Sequence, residues 1–127
     1  MSNEADAIAS AIIAKWCAGF AMLDAAGLSS LYSKNAFFFG SNPKLYRGRD
    51  GVADYFNGLP RWRQPSAVFS EVNAAHAGPD LINMGATITF DLGERPDLIV
   101  KMSWVIIRED GDWKIVNHHA SAKAPLI

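Results

Sequence analysis

Residues 81–91 read Leu81-Ile82-Asn83-Met84-Gly85-Ala86-Thr87-Ile88-Thr89-Phe90-Asp91. Ile82, Met84, Ala86, Ile88 and Phe90 alternate with Asn83, Gly85, Thr87 and Thr89. This period of two predicts a strand with one wholly apolar face and one mixed face, so both faces can be covered. Turn chemistry bounds it on each side, Ala77-Gly78-Pro79-Asp80 before and Gly93-Glu94-Arg95-Pro96-Asp97 after. Similar runs lie at residues 66–76, 98–108 and 113–123, the last two divided by Glu109-Asp110-Gly111-Asp112. Loops this short make hairpins, so the four strands form an antiparallel meander. Strands of about ten residues are long for a small sheet and must twist and coil.

The first half of the chain has a different period. Ile8, Ile12, Trp16, Phe20 and Leu23 share one helical face. Asn3 can cap this helix, Glu4 and Asp6 suit its positive end, and Gly27 offers a left-handed stop. A short helical turn is expected at residues 28–32, then a strand at 36–39, the turn Gly40-Ser41-Asn42-Pro43, and a partner strand at 44–47. Asp50 is placed to cap a third helix reaching Asn57, with Val52, Tyr55 and Phe56 inward and Gly58 and Pro60 as stops. Helices gathered on one side of an antiparallel sheet give an α+β architecture. A coiled sheet around three helices makes a cone with an open mouth and a cavity between the layers. All 127 residues are read as one domain.

Composition removes several function classes. The net charge is −1 and the twelve Lys and Arg are scattered, so no nucleic-acid partner is expected. Cys17 is the single cysteine and reads as a buried, inert thiol in a helix. The apolar run 7–14 follows Glu4 and Asp6 instead of a basic region and is too short for a span, so neither an export signal nor membrane partner is expected. A cytoplasmic location is the expectation. His118 and His119 are adjacent and point to opposite faces of a strand, and His76 lies in another strand, so no metal and no cofactor is expected. Gly48 and Gly51 do not make a phosphate-binding loop.

Three strings carry a family likeness. Tyr46-Arg47-Gly48-Arg49-Asp50-Gly51-Val52 resembles a Y-x-G-x-x-G-I start to a third helix, and Leu31-Tyr32-Ser33-Lys34-Asn35-Ala36 resembles an L-Y-x-x-D-A passage from second helix to first strand. Trp113-Lys114-Ile115-Val116-Asn117-His118-His119-Ala120-Ser121 is similar to the W-x-x-V-x-x-H-x-S final strand of the calcium/calmodulin-dependent kinase II association domain. Together, in this order, they resemble the nuclear-transport-factor-2-like superfamily and its SnoaL-like branch over essentially the whole chain. The resemblance implies a cone-shaped fold, a pocket on the inner sheet face, and a homodimer through the outer face, to which His119 and Ser121 would belong.

The resemblance also implies where chemistry would sit. Ketosteroid isomerase and its kin use a cavity carboxylate as base, just after the first strand, where this chain has Phe39, Gly40 and Ser41. Kinase association domains line their pocket with arginines, whereas the matching positions here are close to Thr87, Trp104 and Ala120. That argues against an anionic pocket ligand and favours a small neutral or aromatic one. Trp16, Phe20, Phe38, Tyr46, Tyr55, Phe56, Trp62, Met102 and Trp104 are the expected pocket wall, with Asn83 and Thr87 as polar handles. Parity with Trp104 and Ala120 points His118 inward as a proton carrier near neutrality, and Tyr32 is the expected oxyanion donor. The stretch Arg61-Trp62-Arg63 reads either as a gate or as two cations snorkelling round a packed ring. Two functions remain open at this point. One is a small-molecule-binding domain, extending to a cofactor-free isomerase, cyclase or dehydratase. The other is a non-catalytic assembly or regulatory module.

Overall fold

A computed structural model describes residues 4–127. In chain order it contains α1 (Glu4–Ala21), α2 (Ala25–Ser29), β1 (Tyr32–Phe39), β2 (Leu45–Arg47), α3 (Gly48–Asn57), β3 (Ser66–Gly78), β4 (Leu81–Asp91), β5 (Leu98–Glu109) and β6 (Asp112–Ala122). The strands form one six-stranded sheet in the order β2-β1-β6-β5-β4-β3, with the helices packed on it. This is the expected α+β cone. The meander β3 to β6 pairs antiparallel throughout, and β5 turns into β6 through Asp110 and Gly111 at φ 52° and 80°. Two positive φ values in a two-residue loop make the tight turn that matches strand twist.

One pairing lies outside the expectation. β1 runs parallel to β6, with Tyr32 opposite Ile115 and Phe38 opposite His118. The register slips between Tyr32 and Phe37, so residues 33–36 bulge away from β6. Tyr32 therefore opens a strand instead of ending a helical turn, and α2 finishes at Ser29. Glu109 braces the bulge. It accepts from Ser33 Oγ at 2.6 Å, from the Lys34 backbone N–H at 3.3 Å and from Arg49 Nη2 at 2.9 Å. The Ser33 hydroxyl, ahead of the Lys34 N–H and the Arg49 guanidinium, holds the Glu109 carboxyl below its usual range.

The helix ends also differ from expectation. The proposed cap Asn3 lies outside the described residues. α1 buries Ala5, Ala9, Ile12, Trp16 and Phe20, the two alanines letting the helix approach β3 closely, while Ile8 and Leu23 sit at its margin. Leu23, not Gly27, takes the left-handed conformation after α1, at φ 49°. Asp24 N–H reaches Gly19 O at 2.9 Å and Leu23 N–H reaches Phe20 O at 3.0 Å, a Schellman closure. Gly27 lies inside α2, where its N–H binds the Asp24 carboxylate at 3.0 Å and a Cβ would strike that carboxylate. α3 starts two residues before the expected cap Asp50, because Gly48 at φ 67° turns the chain straight from β2 into the helix. Asp50 occupies the first turn instead. Cys17 is half-buried, and burial raises its thiol pKa.

Candidate functional site

Between the helices and the inner sheet face lies an open cavity of about 310 Å³. Its apolar wall comes from α1 (Trp16, Phe20), β1 (Phe38), α3 (Tyr55, Phe56), Trp62 after α3, and the meander (Phe90, Met102, Ala120). The rings interlock: Trp16 stacks on Phe20 at 5.4 Å, and Phe20 lies 6.3 Å from Trp62. The depth depends on the β6 register. A slip between Val105 and Ile106 leaves Val116 unpaired, so Ile115 and His118 both point inward. Trp104 and His118 are direct cross-strand partners.

His118 is 2% exposed and borders the cavity, with its ring stacked on Phe38 at 3.9 Å. Its Nδ1 receives Trp104 Nε1–H at 3.0 Å and lies 2.8 Å from Tyr32 Oη. An indole N–H can only donate, so Nδ1 is an acceptor and the neutral ring carries its proton on Nε2. The Tyr32 hydroxyl accepts from Trp16 Nε1–H at 3.0 Å and so donates its own proton to the same Nδ1. Nε2 makes no hydrogen bond to any described residue. No sealed side-chain nitrogen or oxygen lacks a partner among the described residues, so Nε2 keeps an opening, and the space its ring borders is the cavity. Burial, with a smaller push from His119, lowers the His118 pKa from 6.5 to about 3. The result is a neutral imidazole stacked on Phe38 at the cavity wall, its one Nδ1 lone pair shared by Trp104 and Tyr32.

The family description that matches the chain is the SnoaL-like domain, over residues 9–125. The chain belongs to the SnoaL-like family. Solved structures place this SnoaL-like domain among nuclear-transport-factor-2-like folds. It is similar to a candidate calcium/calmodulin-dependent protein kinase II association domain from Xanthomonas campestris (TM-score 0.82, 22% identity, covering 94% of this chain and 87% of that one). It is also similar to a nuclear-transport-factor-2-like protein of unknown function from Pseudomonas putida (TM-score 0.83, 17% identity, 99% and 92% covered). A candidate dehydratase from Streptomyces avermitilis shares the fold as well (TM-score 0.82, 16% identity, 96% and 98% covered). No curated protein matches the sequence.

Within this SnoaL-like cone, Trp16, Phe20, Phe38, Tyr55, Phe56, Trp62, Met102 and His118 come together on the cavity wall. Tyr32 and Trp104 do not reach it; both are fully buried behind His118. The Tyr32 hydroxyl, expected as an oxyanion donor, is engaged with Trp16 and His118 and lies behind the cavity wall. His118, expected as a proton carrier, does line the cavity, but burial lowers its pKa and Trp104 and Tyr32 occupy Nδ1. Tyr46 sits one layer back, its ring 5.3 Å from Tyr55 and its hydroxyl accepting from Asn42 Nδ2. Asn83 and Thr87 lie on the opposite sheet face, because their neighbours along β4, Ile82, Met84 and Ile88, fill the inner one. Asn83 lines a separate depression, and Thr87 Oγ1 binds Glu71 Oε2 at 3.1 Å. In the stretch Arg61-Trp62-Arg63 both arginines are exposed and Trp62 packs half-buried against the core, as the snorkelling reading has it, and Arg61 makes a further contact. Its Nη2 caps Phe56 O at 2.7 Å, at the C-terminal end of α3.

Sequence reasoning missed polar groups on loops. Ser41 lines the cavity, its hydroxyl and N–H both bonded to Tyr55 Oη, at 2.8 and 2.9 Å. Arg95, from the loop after β4, lines it too. No Asp or Glu is among the lining residues. The signal for Ser41 was its position after the first strand, where the superfamily isomerases keep their base.

Proposed function

We propose that this SnoaL-like domain binds a small ring-bearing molecule inside the cone, with His118 Nε2–H donating to an acceptor oxygen on the ligand. The observation that carries this reading is the convergence of Trp104 and Tyr32 on His118 Nδ1. That arrangement leaves one polar group presented at the depth of an aromatic cavity. An isomerase, cyclase or dehydratase could use such a neutral donor to polarise a carbonyl, as in proton-transfer enzymes that keep an imidazole uncharged. Proton abstraction also needs a base, and the wall supplies no carboxylate. Binding is therefore the function this geometry supports best.

Ala120 lines the cavity beside its cross-strand partner Met102, so a larger side chain there fills the space from within. Addition of 2-acetonaphthone, a two-ring ketone, is expected to raise the melting temperature of the native domain. Ala120→Phe is expected to abolish that rise while changing stability by only about 1 kcal/mol. An equal rise in both proteins would place binding elsewhere and defeat the reading.

A dimer is proposed on a separate observation. Phe37, Phe39, Val68 and Ile99 stand on the outer sheet face, 37–61% exposed. Exposed apolar side chains grouped on one sheet face mark a surface that associates. Analytical ultracentrifugation is expected to find a homodimer that Phe37→Glu dissociates; a monomeric native protein contradicts this.

A further inference from the structure

Arg95 is the only charged side chain among the described residues that line the cavity. It is exposed, which puts it at the open end, and its loop is tied back by Leu92 N–H to Arg95 O at 3.2 Å. Three carboxylates are near in sequence, Asp91, Glu94 and Asp97, yet no described carboxylate comes within ion-pairing distance of its guanidinium. Asp91 is occupied with Gly93 N–H at 2.9 Å. Arg49, Arg61 and Arg108, by contrast, are engaged with Glu109, with backbone carbonyls and with Asp80.

We propose that Arg95 anchors an anionic group on the ligand, so that the molecule held in the cone is an amphipathic aromatic acid. This rests on the ligand-binding reading above. The body of such a ligand lies against Phe20, Phe56, Trp62 and Phe90, and its acid group stays at the water edge. The cavity equals about ten water volumes, which suits one or two rings. Burying a charge at the aromatic depth is costly without a partner, so a charged group is tolerated only at the mouth. There the planar guanidinium offers paired N–H donors matched to a carboxylate. A cationic ligand meets the wrong sign, since no carboxylate lines the wall. The absence of arginines deep in the pocket and the presence of one at its rim are thus compatible: the interior takes the neutral rings and the rim takes the charge.

The test uses two isosteric probes, 2-naphthoate and 2-naphthamide, titrated by calorimetry into the native domain and into Arg95→Gln. The native domain is expected to prefer the acid by about fivefold or more, the scale of one exposed charge-assisted contact. Arg95→Gln is expected to remove that preference and leave the amide affinity unchanged. In the native protein, raising salt to about 0.5 M is expected to shrink the preference in the same way, without any substitution. Equal affinity of the native domain for acid and amide, or a preference that survives in Arg95→Gln, overturns the anchor alone. No binding of either probe at about 1 mM defeats the ligand-binding reading and the anchor with it.

Discussion

Replacing His118 by alanine is expected to lower the stability of the domain by about 3 kcal/mol or more. The substitution removes a buried ring stacked on Phe38. It also strips the acceptor from two buried donors, Trp104 Nε1–H and the Tyr32 hydroxyl. An orphaned buried donor costs about 1–3 kcal/mol, and the cavity left by the ring adds to that. Trp104→Phe deletes one donor and keeps an aromatic ring, so its cost is expected to be about 1 kcal/mol for the lost bond, with a further penalty for lost volume. Urea unfolding of the three proteins measures both. A loss under about 1 kcal/mol for His118→Ala means that water replaces the imidazole freely, and that the Trp16–Tyr32–His118–Trp104 relay does not organise the cavity floor.

The second large effect is an acid lability that begins well above the carboxylate range. Unfolded His118 takes up a proton near its ordinary pKa of 6.5, whereas folded His118 resists to about 3. Between those values the unfolded state binds one more proton, so stability rises with pH by up to about 1.4 kcal/mol per unit. Read downward, the native protein is expected to lose about 2 kcal/mol between pH 7 and pH 5. The pKa of Glu109 is also lowered, so its contribution is present above the ordinary carboxylate range and is lost only at more acid pH. The window from 6.5 to 5 therefore reports chiefly on the histidine. Melting curves across that window give the slope, and His118→Gln, although less stable, is expected to flatten it. An equal slope in the two proteins assigns the acid lability to another group.

Much of the fold was legible because its signals are local. Each hairpin of the meander carries its own turn chemistry, and β4 lies where the alternation of Ile82 to Phe90 placed it. The inward side of His118 followed from parity with Trp104, which is its actual cross-strand partner. Asn83 and Thr87, expected as polar handles, alternate with the buried Ile82 and Ile88 and so face away from the cavity. The parallel pairing of β1 with β6 was not legible, because residues far apart in the chain leave no periodic trace of their partnership. That pairing is also what pulls Tyr32 out of a helical reading. At Leu23 a bulky residue adopts a conformation usually left to glycine, because two backbone hydrogen bonds close over it. The role of His118 was hidden for a related reason. Only the three-dimensional convergence of an indole and a phenol on Nδ1 turns a candidate proton carrier into a fixed neutral donor. Arg95 and Ser41 lie on loops, where side-chain direction has no period to read.

The measurement that bears most directly on the cavity as a binding site is the ¹⁵N spectrum of the His118 ring, recorded without and with 2-naphthamide at several pH values from 8 to 5. Nδ1 is expected to be unprotonated and Nε2 protonated throughout, with the Nε2–H resonance moving when the amide carbonyl occupies the cavity. A ring protonated on Nδ1, a titration near pH 6, or an Nε2 signal indifferent to bound ligand would contradict the account.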